Sequence, residues 1–539
     1  MSGRRGSHGR TKGPRGQRGG SGGSKLIEPG HPDHPLEALR EVIDDWDAFQ
    51  HALTQPDPTV IRTNLLRITP EALAERLARH GFPTRAIEGM PGFLEVTEQG
   101  PGPISDSLEH WLGLFYMQQA ATGLAAPLLN PQPGDTVLDL CAAPGGKTTH
   151  LAEHMGGQGA VVCADINEGR IRALLGNIYR MGHTNIMVVA ADARNFPTGP
   201  TFDRVMVDVP CSAQGTLRKR MGKMPRRSKG FAKQIAKTQA RILKRAIQLT
   251  RPGGTLLYVT CTFDPVENEA VLTKVLEKAP VDVDRIELDV PHARGVTSFG
   301  DAEYDPRLDG AVRIYPHHLN SGGLFMCRMV RTDDALDGES SGATASAEAA
   351  EGVDRPALAP GWTPIPTAFP GEDFTEDDVE ENIADAERVL DELLGIDATD
   401  FGASWMRRGT NLWAHTLPGW PVPAWETGAR WRVVALGLRA MDMSGVVPRP
   451  SNDLIVRWAD QISKRVMDLP IAIWDDLMSG RRVESEAFDG RVTLALGGEP
   501  IARGFIRDGE LQHEVPKGRL RWLKSTIAQH MAEESGGVE

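Results

Sequence analysis

The 539-residue chain has no apolar run long enough to span a bilayer, so no membrane partner is expected. Its first residues are rich in Gly, Arg and Ser without an apolar core, which is not the pattern of a secretory signal. Cysteine is scarce. The five residues, at 141, 163, 211, 261 and 327, form an odd, widely spaced set with no C-x-x-C pair. That argues against a disulfide framework and against a zinc cluster, so no metal is expected, and it points to a reducing, cytoplasmic compartment. The Gly-rich turn near 145 has neither the G-x-x-x-x-G-K-[ST] spacing of a phosphate-cradling loop nor the G-x-G-x-x-G dinucleotide spacing. No internal repeat stands out.

Basic charge is also in deficit, with a net charge of −12 that by itself disfavours nucleic acid. The distribution reverses that reading locally. Residues 1–25 carry seven Lys/Arg and no acid, and residues 217–229 carry seven more, again without an acid: Arg218, Lys219, Arg220, Lys223, Arg226, Arg227 and Lys229. A polyanion meets the local field and not the average. A charge run is most often a solvated face, but this one directly follows a chemically suggestive loop and is read as an RNA-contacting surface.

The length predicts two to four domains. Residues 1–30 read as a disordered basic tail and 31–108 as a small α+β module, with helical patterns over 34–52 and 70–80 flanking a strand over 60–66. From 109 to 332 strands and helices alternate, which predicts an α/β fold on a mostly parallel sheet. Strands are expected at 136–140, 160–164, 186–191, 204–207, 255–259 and 324–330, with helices at 148–155, 168–181, 231–250 and 266–278 between them. Residues 333–370 read as a linker, 371–400 as an acidic helix, and 401–539 as a compact C-terminal module with strands such as 432–438 and 492–496.

The chemistry gathers at strand ends, where open α/β sheets place their ligands. The first strand runs Val137-Leu138-Asp139-Leu140 into Cys141-Ala142-Ala143-Pro144-Gly145-Gly146-Lys147-Thr148, a small-residue turn that lets backbone N–H groups approach a ligand. Asp165, Asp192 and Asp208 each follow or end a strand. One such acid is usually a helix cap or turn residue; three at one edge are harder to explain that way. Cys211 follows Asp208-Val209-Pro210, and Cys261 follows Tyr258-Val259-Thr260, so two thiols reach the same edge. Cys163 and Cys327 lie mid-strand and read as inert core.

These motifs together resemble the class I S-adenosylmethionine-dependent methyltransferases, and more narrowly the Sun-type RNA (cytosine-5) methyltransferase family. Gly113-Leu-Phe-Tyr-Met-Gln-Gln-Ala120, Pro265-Val-Glu267-Asn268-Glu269 and Arg313-Ile-Tyr-Pro-His317 resemble its leading and later motifs, and Pro58-Thr-Val-Ile-Arg-Thr-Asn64 its N-terminal RNA-binding extension. The resemblance implies a Rossmann-like sheet with helices on both faces. It implies S-adenosyl-L-methionine as cofactor, with the turn Cys141, Ala142, Ala143, Pro144, Gly145, Gly146 and Lys147 lining the methionine part (Lys147 serving the substrate base or phosphate as the alternative), Asp165 taking the ribose hydroxyls and Asp192 the adenine amino group. It implies Cys261 as nucleophile, Cys211 as the group that assists release, and Asp208 within reach of base and cofactor. The chemistry needs such residues: carbon 5 of cytosine is a poor nucleophile until a thiolate adds at carbon 6. Residues 490–519 resemble the PUA-like module of bacterial ribosomal members, although no Lys follows the Gly504 turn. The expectation is therefore a monomeric RNA cytosine-5 methyltransferase acting on rRNA, with tRNA as the rival substrate. A ribosome-assembly factor that uses the fold only as a scaffold is the alternative.

Overall fold

The computed structural model describes residues 26–27, 31, 34–98, 100–225, 230–333, 358–422, 431–487 and 489–536. The predicted basic tail lies outside these, apart from the short stretch Leu26–Ile27. The single helix expected over 34–52 is instead a 3-10 turn, Glu37–Val42, followed by α1, Trp46–Thr54. Asp45 divides them: its backbone is extended and its side chain accepts the Ala48 N–H, capping the second helix. β1 (Val60–Thr63) follows, then α2 (Pro70–Arg79), which Thr69 caps ahead of a proline at its first position. β2 (Thr84–Ala86), β3 (Phe93–Val96) and β4 (Phe115–Met117) complete a four-stranded sheet in the order β2-β3-β1-β4.

The alternating segment then builds the central sheet. Its elements are β5 (Thr136–Asp139), α3 (Gly146–His154), β6 (Ala160–Asp165), α4 (Glu168–Met181), β7 (Ile186–Ala191), β8 (Phe202–Asp208), α5 (Phe231–Leu249), β9 (Thr250–Thr260) and α6 (Glu269–Leu276). β10 (Val281–Asp284), β11 (Ala293–Arg294), β12 (Val312–Ile314) and β13 (Leu324–Arg331) follow, and β14 (Trp431–Leu436) arrives from far downstream. The order is β11-β12-β13-β9-β8-β5-β6-β7-β14, with β10 on β13. β9, β8, β5, β6 and β7 are parallel, as predicted, and β13 and β14 run antiparallel at either side. All six residues of β6 are buried, the first five an apolar run as a strand between helix layers requires and the sixth Asp165. Strand order reverses between β5 and β8, which opens a crevice beyond their carboxyl ends. The fold is the Rossmann-like one expected of a methyltransferase domain.

Three boundaries differ from expectation. The strand at 432–438 does not belong to a separate C-terminal module; as β14 it pairs with β7 and extends the central sheet. The linker expected over 333–370 lies partly outside the described residues, but Trp362 is buried in the central core with Trp413 and Trp420. The expected acidic helix is present as α7 (Glu376–Val389), closed at its start by the reciprocal Thr375–Asp378 capping box. The last part forms a five-stranded sheet, including Gly490–Leu496, Glu499–Arg507 and Glu510–His513. That sheet shares one core with the N-terminal module: Ile61, Leu77, Trp111 and Phe115 meet Trp474, Leu494, Ile501 and Leu523. Trp111 Nε1 donates to the Ile501 carbonyl at 3.1 Å across the junction. No described helix is long and apolar enough to cross a membrane.

Candidate active site

The register of β8 on β9 brings the two cysteine loops together. Val259 lies opposite Asp208, so Cys211 and Cys261 leave neighbouring strand ends side by side. Their Sγ atoms are 3.2 Å apart. A buried network holds both loops. The Ser212 N–H donates to Glu267 Oε2 at 2.8 Å, the Ser212 and Thr262 hydroxyls bond at 2.7 Å, and Gln239 Nε2 donates to the Pro210 carbonyl at 3.0 Å. Beneath them Arg313 pairs with Glu269 in the interior and donates to the Phe263 carbonyl at 2.9 Å.

The environments of the two thiols differ. The hydrogen bond from Cys211 lowers the Cys261 pKa; burial and Asp208 oppose that, and Lys147 assists it. Cys211 is pushed well up by the same bond and by burial. The distance suits either sulfur as donor, and the opposite shifts of the two thiols favour a Cys261 thiolate accepting from a Cys211 thiol. Cys163 and Cys327 are buried, and burial raises both thiols, as inert core cysteines require.

The turn after β5 is shaped by Gly145, whose φ of +107° would strain any residue with a side chain. It delivers Lys147, whose Nζ donates to Asp208 Oδ2 at 2.8 Å. Burial works against the Lys147 charge, but Asp208 outweighs it and raises the pKa. Asp165 ends β6, is 3% exposed and accepts the Asn167 N–H at 2.9 Å. Asp192 is paired with Arg194, which lowers its pKa.

Two cavities meet at Asp208. The inner one, about 470 Å³, is lined by Cys141, Asp165, Asp192, Pro210, Cys211 and Cys261. The outer one, about 460 Å³, lies between the N-terminal strands and the turn and is lined by Asp57, Tyr116, Gln118, Lys147 and Lys219. Both fall within the size range of small-ligand sites, about 300–1,000 Å³. The expected cofactor residues thus divide: Cys141 and the acids Asp165, Asp192 and Asp208 face the inner cavity, while Ala142, Ala143, Pro144, Gly146 and Lys147 face the outer one.

The predicted RNA-contacting run is only partly what its charge suggests. Arg218 is 2% exposed. It donates to the Gln55, Pro56 and Ser321 carbonyls and to Asn320 Oδ1 and lies 3.4 Å from Asp57, so it braces the loop to the N-terminal module and is not available to phosphate. Lys219 is exposed on the outer cavity and Lys223 is partly exposed; Arg220 has no described side chain, and Arg226 and Arg227 lie outside the described residues. One residue the motifs passed over is Asp139. It is 1% exposed, accepts from Thr148 Oγ1 at 2.7 Å through Oδ2, and has no bond at Oδ1. Burial raises it to about 6. Its position at the end of β5, opposite Cys163 and Met206 and so two residues short of Asp165 and Asp208 on the neighbouring strands, was the available signal.

Asp44, His317 and His318 bring potential metal ligands within 4.8 Å of one another. His318 Nδ1 accepts the Tyr315 N–H at 3.2 Å, which leaves the ring proton of the neutral side chain on Nε2, directed at Asp44 Oδ2 2.8 Å away. The cluster is thus held by hydrogen bonds of its own.

Residues 126–330 match the family model of 16S rRNA methyltransferase RsmB/F. The turn at 141–147, both cysteine loops and the motifs at 265–269 and 313–317 fall within the matched residues, and the stretches 58–64 and 113–120 precede them. Among curated proteins, the chain is 33% identical over 304 residues to ribosomal RNA small subunit methyltransferase F of Erwinia tasmaniensis, covering 54% of this chain and 62% of that protein. It is 30% identical over 317 residues to a 28S rRNA (cytosine(4447)-C(5))-methyltransferase of Homo sapiens, covering 58% of this chain and 39% of that one. A methyltransferase homolog protein from Pyrococcus horikoshii is 26% identical with a TM-score of 0.47, covering 55% of this chain and 98% of that structure. The chain spans less than two thirds of the length of these curated relatives.

Proposed function

We propose that this protein is an RNA cytosine-5 methyltransferase that uses S-adenosyl-L-methionine and acts on a cytidine in rRNA. The observation that carries the reading is the Cys211–Cys261 thiol pair, 3.2 Å apart, beside the Lys147–Asp208 ion pair at the wall between two cavities. The rRNA assignment is supported by the names of the relatives, and tRNA is the competing substrate. Lys219 on the outer cavity supplies cationic contact to the polymer. The five-stranded C-terminal sheet is read as the PUA-like module.

The inner cavity fits the cofactor chemically. Asp165 would take the ribose hydroxyls and Asp192 the adenine end, while the methionine part would pass Cys141 toward the turn residues on the outer cavity. When bound, S-adenosylmethionine supplies an electrophilic methyl group. The target base, unstacked from its strand, enters through the outer cavity toward Asp208. The Cys261 thiolate adds to carbon 6, and the electron pair displaced from the 5,6 double bond makes carbon 5 nucleophilic. Asp208, held by Lys147, accepts a hydrogen bond from the amino group of the base. Once carbon 5 is methylated, solvent water takes its proton, the C–H electron pair re-forms the 5,6 double bond, and the Cys261 sulfur is expelled as thiolate. Cys211 assists that release.

Two variants test this. Cys261→Ala abolishes methyl transfer to RNA while calorimetry still detects cofactor binding. Cys211→Ala accumulates a denaturation-resistant protein–RNA band. Full activity in the Cys261 variant sinks the mechanism. Failure of the wild type to bind the cofactor revives the reading of a scaffold used in ribosome assembly.

A further inference from the structure

Arg62, on β1 of the N-terminal module, is 1% exposed. Its guanidinium makes five hydrogen bonds. Nε and Nη2 grip the two Glu153 oxygens at 2.9 and 2.8 Å, and Nη2 also donates to Thr149 Oγ1 at 2.9 Å. Nη1 donates to the Gly146 carbonyl at 2.7 Å and to Gln118 Oε1. The guanidinium also lies against the Tyr116 ring, 5.3 Å from its centroid. Gly146, Thr149 and Glu153 lie three and four residues apart and present one face of α3. The first turn of that helix carries Lys147, held 2.8 Å from Asp208.

Packing two modules together does not require such a group. A buried ion pair carries a desolvation cost that apolar residues of similar volume avoid. What the planar guanidinium adds is direction, because five donors in a rigid plane fix both the height and the rotation of the helix they hold. We propose that Arg62 is a positioning residue for methyl transfer: by clamping Gly146, Thr149 and Glu153 it sets α3 so that Lys147 meets Asp208 and the cofactor turn keeps its shape. The strand that carries it also reaches the outer cavity through Val60, so one element both meets the substrate and holds the cofactor turn. This rests on the function proposed above.

The test uses the full-length protein with Arg62→Lys, which keeps the charge and loses the planar fork, and with the double variant Arg62→Met/Glu153→Met, which leaves neither member of the ion pair unpartnered. Melting temperature, cofactor Kd, kcat, RNA KM and the pH profile of Cys261 alkylation are measured. A misplacement of about 1 Å costs on the order of a hundredfold in rate, so kcat falls about tenfold or more in both variants. The RNA KM stays within about threefold, because binding away from the reacting atoms is untouched. The Cys261 alkylation profile moves to higher pH as Lys147 is displaced. A folded variant whose kcat, cofactor Kd and alkylation profile all match the wild type overturns the proposal and leaves Arg62 a packing residue. If Arg62→Lys does not fold, the double variant decides. Should wild-type protein form no 5-methylcytosine, the function reading fails by itself, and cofactor Kd and Cys261 alkylation still report on Arg62.

Discussion

Replacing Cys211 with alanine tests the division of labour between the two thiols before any RNA is present. In the wild type the Cys211 S–H is the largest influence lowering the Cys261 pKa, while burial and Asp208 oppose it. A hydrogen bond to a charged group is worth about 1.5–3 kcal/mol, and a thiol is a weak donor, so the lower end applies and the thiolate population at neutral pH falls roughly tenfold. A more basic thiolate is also a better nucleophile, with a Brønsted slope of about 0.4–0.5. The net alkylation rate therefore falls roughly threefold near pH 7. It becomes equal to or faster than wild type once pH passes the raised pKa. The assay is iodoacetamide labelling of the Cys261 peptide followed by mass spectrometry across a pH series. Equal or faster labelling of Cys261 in the variant at neutral pH refutes the argument, because it would mean that Cys211 does not stabilise the thiolate.

Three further outcomes follow from residues whose role the fold decides. Asp139, raised to about 6 by burial, is penalised when ionised, so the apo protein loses stability from that group as pH rises from about 4 to about 6. Asp139→Asn is expected to be more stable than wild type above that window, by on the order of 2–3 kcal/mol, and the difference should vanish below it; thermal denaturation against pH checks this, and a pH-independent difference contradicts it. Arg218→Ala is expected to lower stability by about 2–4 kcal/mol by leaving Asp57 and several buried carbonyls without their donor, with no change in the salt dependence of RNA binding. Lys219→Ala should do the reverse, reducing the salt slope by about 0.7 with little effect on the melting temperature.

Much of the site was legible because its signals are local. The Cys141–Lys147 turn, Asp165, Asp208 and the two cysteines each sit where a strand gives way to a loop, and hydrophobic alternation locates strand ends well. The same reasoning failed for Arg218. A run of seven basic residues says nothing about which of them finds carbonyls from a segment about 160 positions earlier. Asp139 was passed over because an acid inside an apolar run reads as part of the strand. Its buried, unpartnered oxygen becomes visible only when β6 and β8 close on either side.

What the sequence by itself determined is the chemistry on offer: a parallel sheet, a small-residue turn and two thiols delivered to one edge, all properties of short stretches and their periodicity. What only the tertiary structure decided is how those groups differ. Strand register set the thiols 3.2 Å apart, within reach of a shared hydrogen bond. Arg62 reached from the N-terminal module to α3, β14 returned to extend the sheet, and the C-terminal sheet joined the N-terminal core. Each of these depends on contacts between residues tens to hundreds of positions apart. No local pattern encodes such contacts, because their energy exists only once the chain has brought both partners out of water.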